Sequence, residues 1–307
     1  MADSEPVVRI EGLVKRLGRG VTALDGLDLV VHAGQVVGLA GPNGSGKTMA
    51  LRVLLGLVRP TAGRAFLFGE PARPGAPALA RVGALVDGPG FVPHLSGLDN
   101  LRLAWRLTRR PEAEADLEGV LALAGLGEAI RRPYATYSHG MRYRLGFAQA
   151  LLGRPDLLLL DEPTTGLDPA HVREVRDAIA AVARQGATVL LSSHLLSEVE
   201  EVCSHAAVMQ RGRLVASGPI AALVGPAGAL SLEVDAPARA AEVLRRQSGV
   251  RGVAAGGPRV VAEGEALRPL ALLGALDAAG VRVCSFRHGR SLEDAYLNLV
   301  GGSAGAS

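Results

Sequence analysis

The 307-residue sequence predicts an α/β protein: a phosphate-loop nucleotide core with an antiparallel β part and a helical insertion, followed by a smaller α+β unit. Three observations predict this. The stretch Gly41-Pro42-Asn43-Gly44-Ser45-Gly46-Lys47-Thr48 fits G-x-x-x-x-G-K-[ST] without a mismatch and sits between an apolar strand-like run and a helix-like run. Two further apolar runs, Leu157–Leu160 and Val189–Leu191, end in polar residues, as parallel strands buried on both faces do when their carboxyl ends meet a ligand. Beyond about residue 220 the pattern changes to short strands alternating with short helices.

Each element follows from local pattern. Val7–Leu13 and Leu24–Val31 alternate as an antiparallel hairpin after a frayed start over residues 1–6, and Ala33-Gly34 turns the chain into the strand Val36–Ala40. Glycines 41, 44 and 46 free the backbone to aim successive N–H groups inward at a helix N-terminus, a concave anion site. Lys47 then reaches the β- and γ-phosphates and Thr48 offers a hydroxyl to Mg²⁺. Arg59–Gly63 breaks the loop helix, Arg64–Phe68 and Val82–Val86 read as strands, and Pro71–Pro77 reads as a loop. Leu98–Thr108, capped by Ser96, and Glu112–Ala124 read as helices of an insertion over about 96–153. Trp105 on the first of them fits an apolar helix face better than a partner site.

A loop at Tyr137–Met141 leads into the helix Arg142–Leu152. The strand Leu157–Leu160 delivers Asp161 and Glu162: the first is placed to hold Mg²⁺, the second to take a proton from an attacking water. After the helix His171–Arg184, the strand ending at Ser192-Ser193 delivers His194 to the same sheet edge as a γ-phosphate contact.

Composition narrows the rest. Net charge is +3 without a basic stripe and aromatics are 3%, so no nucleic-acid partner is expected. Cys203 and Cys284 form no metal-ligand spacing, and without a signal peptide they are expected as free thiols in a reducing cytoplasm. No apolar run approaches the ~18 residues of a membrane span, so membrane association is expected through a partner.

In this order the motifs resemble the ATP-binding subunit of ABC transporters, over roughly residues 7–220. Gly41–Thr48 matches that family's Walker A loop, Ser138-His139-Gly140 falls in its signature, Leu157–Glu162 is the Walker B strand, Gly166–Pro169 with Asp168 the D-loop, and His194 the switch histidine. The resemblance implies an ABC ATPase-type fold and an ATPase that uses ATP and Mg²⁺. It also implies a homodimer sandwiching two ATPs, each held by one subunit's Lys47 loop and the other's Ser138–Gly140, on the cytoplasmic face of a separately encoded membrane permease. A signature at a helix start suits that task, since its N–H groups and dipole favour phosphate charge.

Three positions depart from the family. Leu17 stands where an aromatic residue commonly stacks on adenine, so looser base selectivity is expected. Asp87 replaces the usual Gln, and a carboxylate there can approach Mg²⁺ or its water. The signature reads Tyr137-Ser138-His139-Gly140-Met141. The last two resemble the exporter branch that includes bacitracin, lantibiotic-immunity and drug-resistance subunits, implying export of a drug, antibiotic or lipid-like substrate. The alternatives are a non-transport ABC ATPase, which usually carries two cassettes or a long insertion, and a nucleotide-gated regulatory module. A P-loop GTPase is disfavoured by the absence of Asn-Lys-x-Asp.

The C-terminal part, about 225–300, is expected as an accessory α+β domain. It has strands at Leu230–Val234, Val250–Ala254, Arg259–Ala262 and Val281–Phe286, and helices at Pro237–Arg246, Leu270–Ala279 and Leu292–Leu299. Residues 301–307 are expected to be a flexible tail.

Overall fold

The computed structural model describes residues 5–88, 90–224, 229–264, 267–289 and 291–301. These fall into two compact units divided between Ser217 and Gly218. The expected tail beyond Gly301 and residues 1–4 of the expected frayed start lie outside the described residues.

In the first unit the hairpin β1 (Val8–Arg16) and β2 (Thr22–Val31) is antiparallel, pairing Val8 with Val31 and Lys15 with Leu24. The strand β3 (Val36–Ala40) is buried at every residue and feeds the phosphate loop and α1 (Lys47–Leu54). Ala50, Leu51, Val53 and Leu54 anchor that helix in the core beside Leu24, Leu39 and Leu159. The strands β4 (Ala62–Leu67) and β5 (Glu70–Pro71) complete the antiparallel sheet in the order β2-β1-β4-β5. Next comes β6 (Val82–Leu85), then α2 (Gly97–Leu107), with Ser96 Oγ accepting from Asp99 N as its cap. Trp105 is buried, donates Nε1–H to Pro111 O at 3.0 Å and carries Arg110 over its ring, which makes it a core residue.

The second insertion helix departs from its expected span. Glu112–Glu114 forms a single 3-10 turn and α3 runs only from Leu117 to Ala124. Asp116 breaks the run: its backbone is left-handed at φ 50°, and its carboxylate accepts from Arg154 Nε at 2.7 Å. A short polar side chain tolerates that conformation, and the partner 38 residues away holds it there. Then α4 (His139–Ala150) begins three residues earlier than its periodicity suggests, because Ser138 caps it.

The central sheet is completed by β7 (Leu157–Asp161), α5 (Pro169–Arg184), β8 (Thr188–Ser193), α6 (Leu196–Val202), β9 (His205–Gln210) and β10 (Arg213–Pro219). Its order is β10-β9-β3-β8-β7-β6, and the pairs β9/β3, β3/β8, β8/β7 and β7/β6 are parallel. Parallel pairing brings the carboxyl ends of β3, β7 and β8 to one edge. On β6, a Cβ at Gly83 would lie 1.8 Å from Ala150 O, so the end of α4 abuts the sheet there only because this residue has no side chain.

The second unit holds α7 (Ile220–Val224), β11 (Ala229–Val234), α8 (Pro237–Arg245), β12 (Val250–Gly256), β13 (Arg259–Gly264), α9 (Pro269–Ala278), β14 (Val283–His288) and α10 (Leu292–Gly301). Its antiparallel sheet, β12-β13-β11-β14, packs Leu232, Val234 and Val260 against Leu244, Leu272 and Leu276. Ser291 and Asp294 cap α10 reciprocally, Ser291 N and Oγ donating to Asp294 Oδ2 and Asp294 N donating to Ser291 Oγ.

Candidate nucleotide site

The phosphate loop closes on itself. Gly46 takes φ 106°, a conformation open to glycine, and turns the chain into α1. Lys47, 5% exposed, donates to Gly41 O at 2.7 Å and Pro42 O at 3.3 Å. Its ammonium lies 3.5 Å from Glu162 Oε1. Around it opens a cavity of about 450 Å³ lined by Asn43 to Met49, Arg52, Glu162, Thr165 and His194, with Leu17, Val21, Thr22 and Ala23 along one side.

Sheet register builds the acidic side. Asp161 pairs with Ser192 across β7 and β8, which brings Ser192 Oγ to Asp161 Oδ1 at 2.5 Å; Thr48 Oγ1 donates to the same oxygen at 3.0 Å. A hydroxyl and a carboxylate converging at the end of the loop are hard oxygen donors, the set that suits Mg²⁺. Glu162 follows with a left-handed backbone at φ 47°, held by its N–H on Ser192 Oγ at 2.9 Å. Such a backbone costs on the order of 1 kcal/mol or more and persists where neighbours over-determine it. The Glu162 Oε2 atom accepts from His194 Nδ1 at 2.6 Å and Thr165 Oγ1 at 3.2 Å. Because a carboxylate only accepts, Nδ1 carries the proton. Burial is the largest single influence on the Glu162 carboxyl and pushes its pKa up. The His194 hydrogen bond, with the charges of His194 and Lys47, outweighs it and holds the group below the usual carboxylate range.

The structure thus brings together Lys47, Thr48, Asp161, Glu162 and His194. It gives Asp87 a different partner from the metal contact expected of it. Its backbone is left-handed at φ 62°, and both carboxylate oxygens are taken by Arg52 of α1, Oδ2 by Nε at 2.9 Å and Oδ1 by Nη2 at 2.5 Å. Ser138, His139 and Gly140 are not among the residues lining the phosphate-loop cavity. Ser138 caps α4, its Oγ accepting from Met141 N at 3.3 Å. Asp168 caps α5, Oδ1 accepting from the N–H groups of Ala170 and His171 and Oδ2 from His171 Nδ1 at 2.6 Å.

Reading the sequence missed Ser192, Thr165 and Arg52. Ser192 carried a signal: a hydroxyl at the end of a buried strand, one residue before Ser193 and two before His194.

A glycine-rich loop, its buried lysine and a strand-end carboxylate pair backed by a histidine define a nucleotide-hydrolysing protein of the P-loop class. The comparisons with known proteins narrow that class. The family model for "ABC transporter" matches residues 24–165. An ABC transporter ATP-binding protein of Bacillus subtilis, YdbJ, is 41% identical over 215 residues, 69% of each chain. The bacitracin transport ATP-binding protein BcrA of Enterococcus faecalis is 38% identical over 69% of this chain and 68% of its own. The Nod factor export ATP-binding protein I of Ralstonia nicotianae is 39% identical over 70% and 68%. A solved ATP-binding subunit of an ABC transporter superposes with TM-score 0.65 at 26% identity, covering 71% of this chain and 91% of its own. The chain belongs to the ATP-binding proteins of ABC transporters, and it is an ATPase of that family.

Proposed function

We propose that this chain energises export of a drug, antibiotic or lipid-like substrate through a separately encoded membrane permease. In this reading it acts as a homodimer that closes over two ATPs at the cytoplasmic face. The observation that carries it is the gathering of Lys47, Thr48, Glu162 and His194 around one cavity, with Asp161 hydrogen-bonded to Thr48, while Ser138–Gly140 stand outside the cavity lining. A helix start aimed elsewhere is free to serve a partner's phosphate. Among the described residues no helix is long and apolar enough to cross a membrane. The Nod factor export protein among its relatives supports export as the direction.

The residues divide the work. Gly41, Asn43, Gly44, Ser45 and Gly46 present loop N–H groups to the phosphates, Pro42 shapes the turn without an N–H of its own, and Lys47 turns from Gly41 O and Glu162 to the β- and γ-phosphates. Thr48 and Asp161 would hold Mg²⁺, which supplies charge neutralisation of the phosphate oxygens when bound. Ser192 orients the Asp161 carboxylate. Glu162 accepts the proton of the attacking water while His194 holds its other oxygen. As Lys47 moves to phosphate, Glu162 loses a nearby cation, and its proton affinity rises towards that of a working base.

The test is coexpression with a candidate membrane permease. Expected are copurification, ATPase activity stimulated by the permease, and lower retention of an amphipathic antibiotic by cells carrying the pair. Retention unchanged by the pair overturns export.

Two more expectations belong here. Leu17 is 41% exposed and lies with Val21 on the cavity wall, an aliphatic rather than stacking surface. Leu17→Tyr is expected to tighten ATP and GTP alike about fivefold, the effect of ~1 kcal/mol of base stacking. Nucleotide titrations that show no change would move the base away from Leu17. Residues 225–300 are proposed as an accessory domain that braces the dimer. Ending the chain at Val224 is then expected to weaken ATP-dependent dimerisation in sizing experiments while single-chain ATP affinity stays the same.

A further inference from the structure

We propose that His171 is a positioning residue that locks the loop carrying Asp168 to the turn carrying Ser138–Gly140. Its imidazole bridges the two segments. Nδ1 lies 2.6 Å from Asp168 Oδ2 and Nε2 lies 3.4 Å from Arg144 Nη2, on α4. Aspartate only accepts and arginine only donates, so the ring is the neutral tautomer with its proton on Nδ1. Arg144 Nη1 reaches Glu174 of α5 at 3.8 Å, a second polar tie between the same two helices.

The glycines fit the two rings. A Cβ at Gly140 would lie 3.2 Å from His171 Nε2, and one at Gly166 would lie 3.4 Å from His139 Nε2. Each histidine therefore rests against a glycine of the opposite segment, and the signature's unusual His139 has a place in this contact. Next to the bridge, α3, α4 and α5 enclose a cavity of about 310 Å³ bordered by Gly140, Arg144, His171 and Glu174. With that space open, the polar bridge carries the local register between α4 and α5.

The inference rests on the proposed shared ATP site, in which Ser138–Gly140 serve the partner's nucleotide and the Asp168 loop adjoins the chain's own. The bridge then makes the two contributions of one chain move together.

The test uses the full chain in the Glu162→Gln background, with ATP-dependent dimerisation read by sizing and single-chain ATP affinity read by titration at low protein concentration. His171→Asn keeps a donor near the Nδ1 position, His171→Gln keeps an acceptor near the Nε2 position, and His171→Ala keeps neither. A bridge needs both ends. All three are expected to raise the ATP concentration for half-maximal dimer about five- to tenfold, with single-chain affinity unchanged. Recovery by Asn alone would reduce His171 to a cap on Asp168, and His-like behaviour of all three would leave it no role; either overturns the proposal. Absence of a dimer in Glu162→Gln itself overturns the shared-site reading, and the proposal with it.

Discussion

Glu162→Gln is expected to lower Mg·ATP hydrolysis by about 10²–10⁴-fold, the usual effect of removing a positioned base. The substitution is nearly isosteric. A glutamine oxygen can still accept from His194 Nδ1 and Thr165 Oγ1, so the edge formed by β7 and β8 should keep its shape. What disappears is the proton-accepting charge and the pairing with Lys47 at 3.5 Å. With binding groups intact and hydrolysis blocked, the ATP-bound dimer should accumulate and appear as a larger species on sizing in excess ATP. Turnover near that of the unaltered chain would remove Glu162 from the role. A chain that fails to hydrolyse before any substitution, even with its permease, would favour the regulatory-module reading.

Lys47→Ala is the second large expected effect, and it falls on binding. Lys47 is almost wholly enclosed by the loop, so its charge works in a poorly solvated setting. Each charge-assisted hydrogen bond it makes to phosphate is worth about 1.5–3 kcal/mol. Losing contacts to two phosphates should weaken ATP binding about 10²-fold or more. The vacancy also strips Gly41 O and Pro42 O of a donor and leaves Glu162 Oε1 without the ammonium 3.5 Å away. Arginine should not rescue it, because a planar guanidinium does not fit the space of a compact ammonium. Titration with a fluorescent ATP analogue reads the loss, and a thermal melt checks the fold. ATP affinity equal to that of the unaltered chain would exclude Lys47 from phosphate binding.

Asp87 shows how a substitution can redirect a contact. An acid at that position was expected to approach the metal, and the structure pairs it with Arg52, five residues into the helix that starts at Lys47. The pair is close to half exposed, which limits its worth to the ~0–1 kcal/mol of surface ion pairs. Its consequence is geometric: the loop leading to α2 is tied to the helix that follows the phosphate loop.

The phosphate loop, the buried strands and the cap at Ser96 were determined by the sequence itself, because each depends on residues within a few positions of one another. A glycine pattern shapes its own backbone, and a cap bonds two or three residues ahead. The Walker B acids were legible for the same reason: an apolar run and its end are contiguous. Tertiary structure alone decided which groups meet at the site. Ser192 reaches Asp161 only because β7 and β8 pair in one register. Arg52 reaches Asp87 across 35 residues, and Arg144 reaches His171 across 27. The break at Asp116 is likewise held by Arg154, outside its helix. Side-chain pairing at such separations follows from how strands and helices pack, and local periodicity carries no record of it.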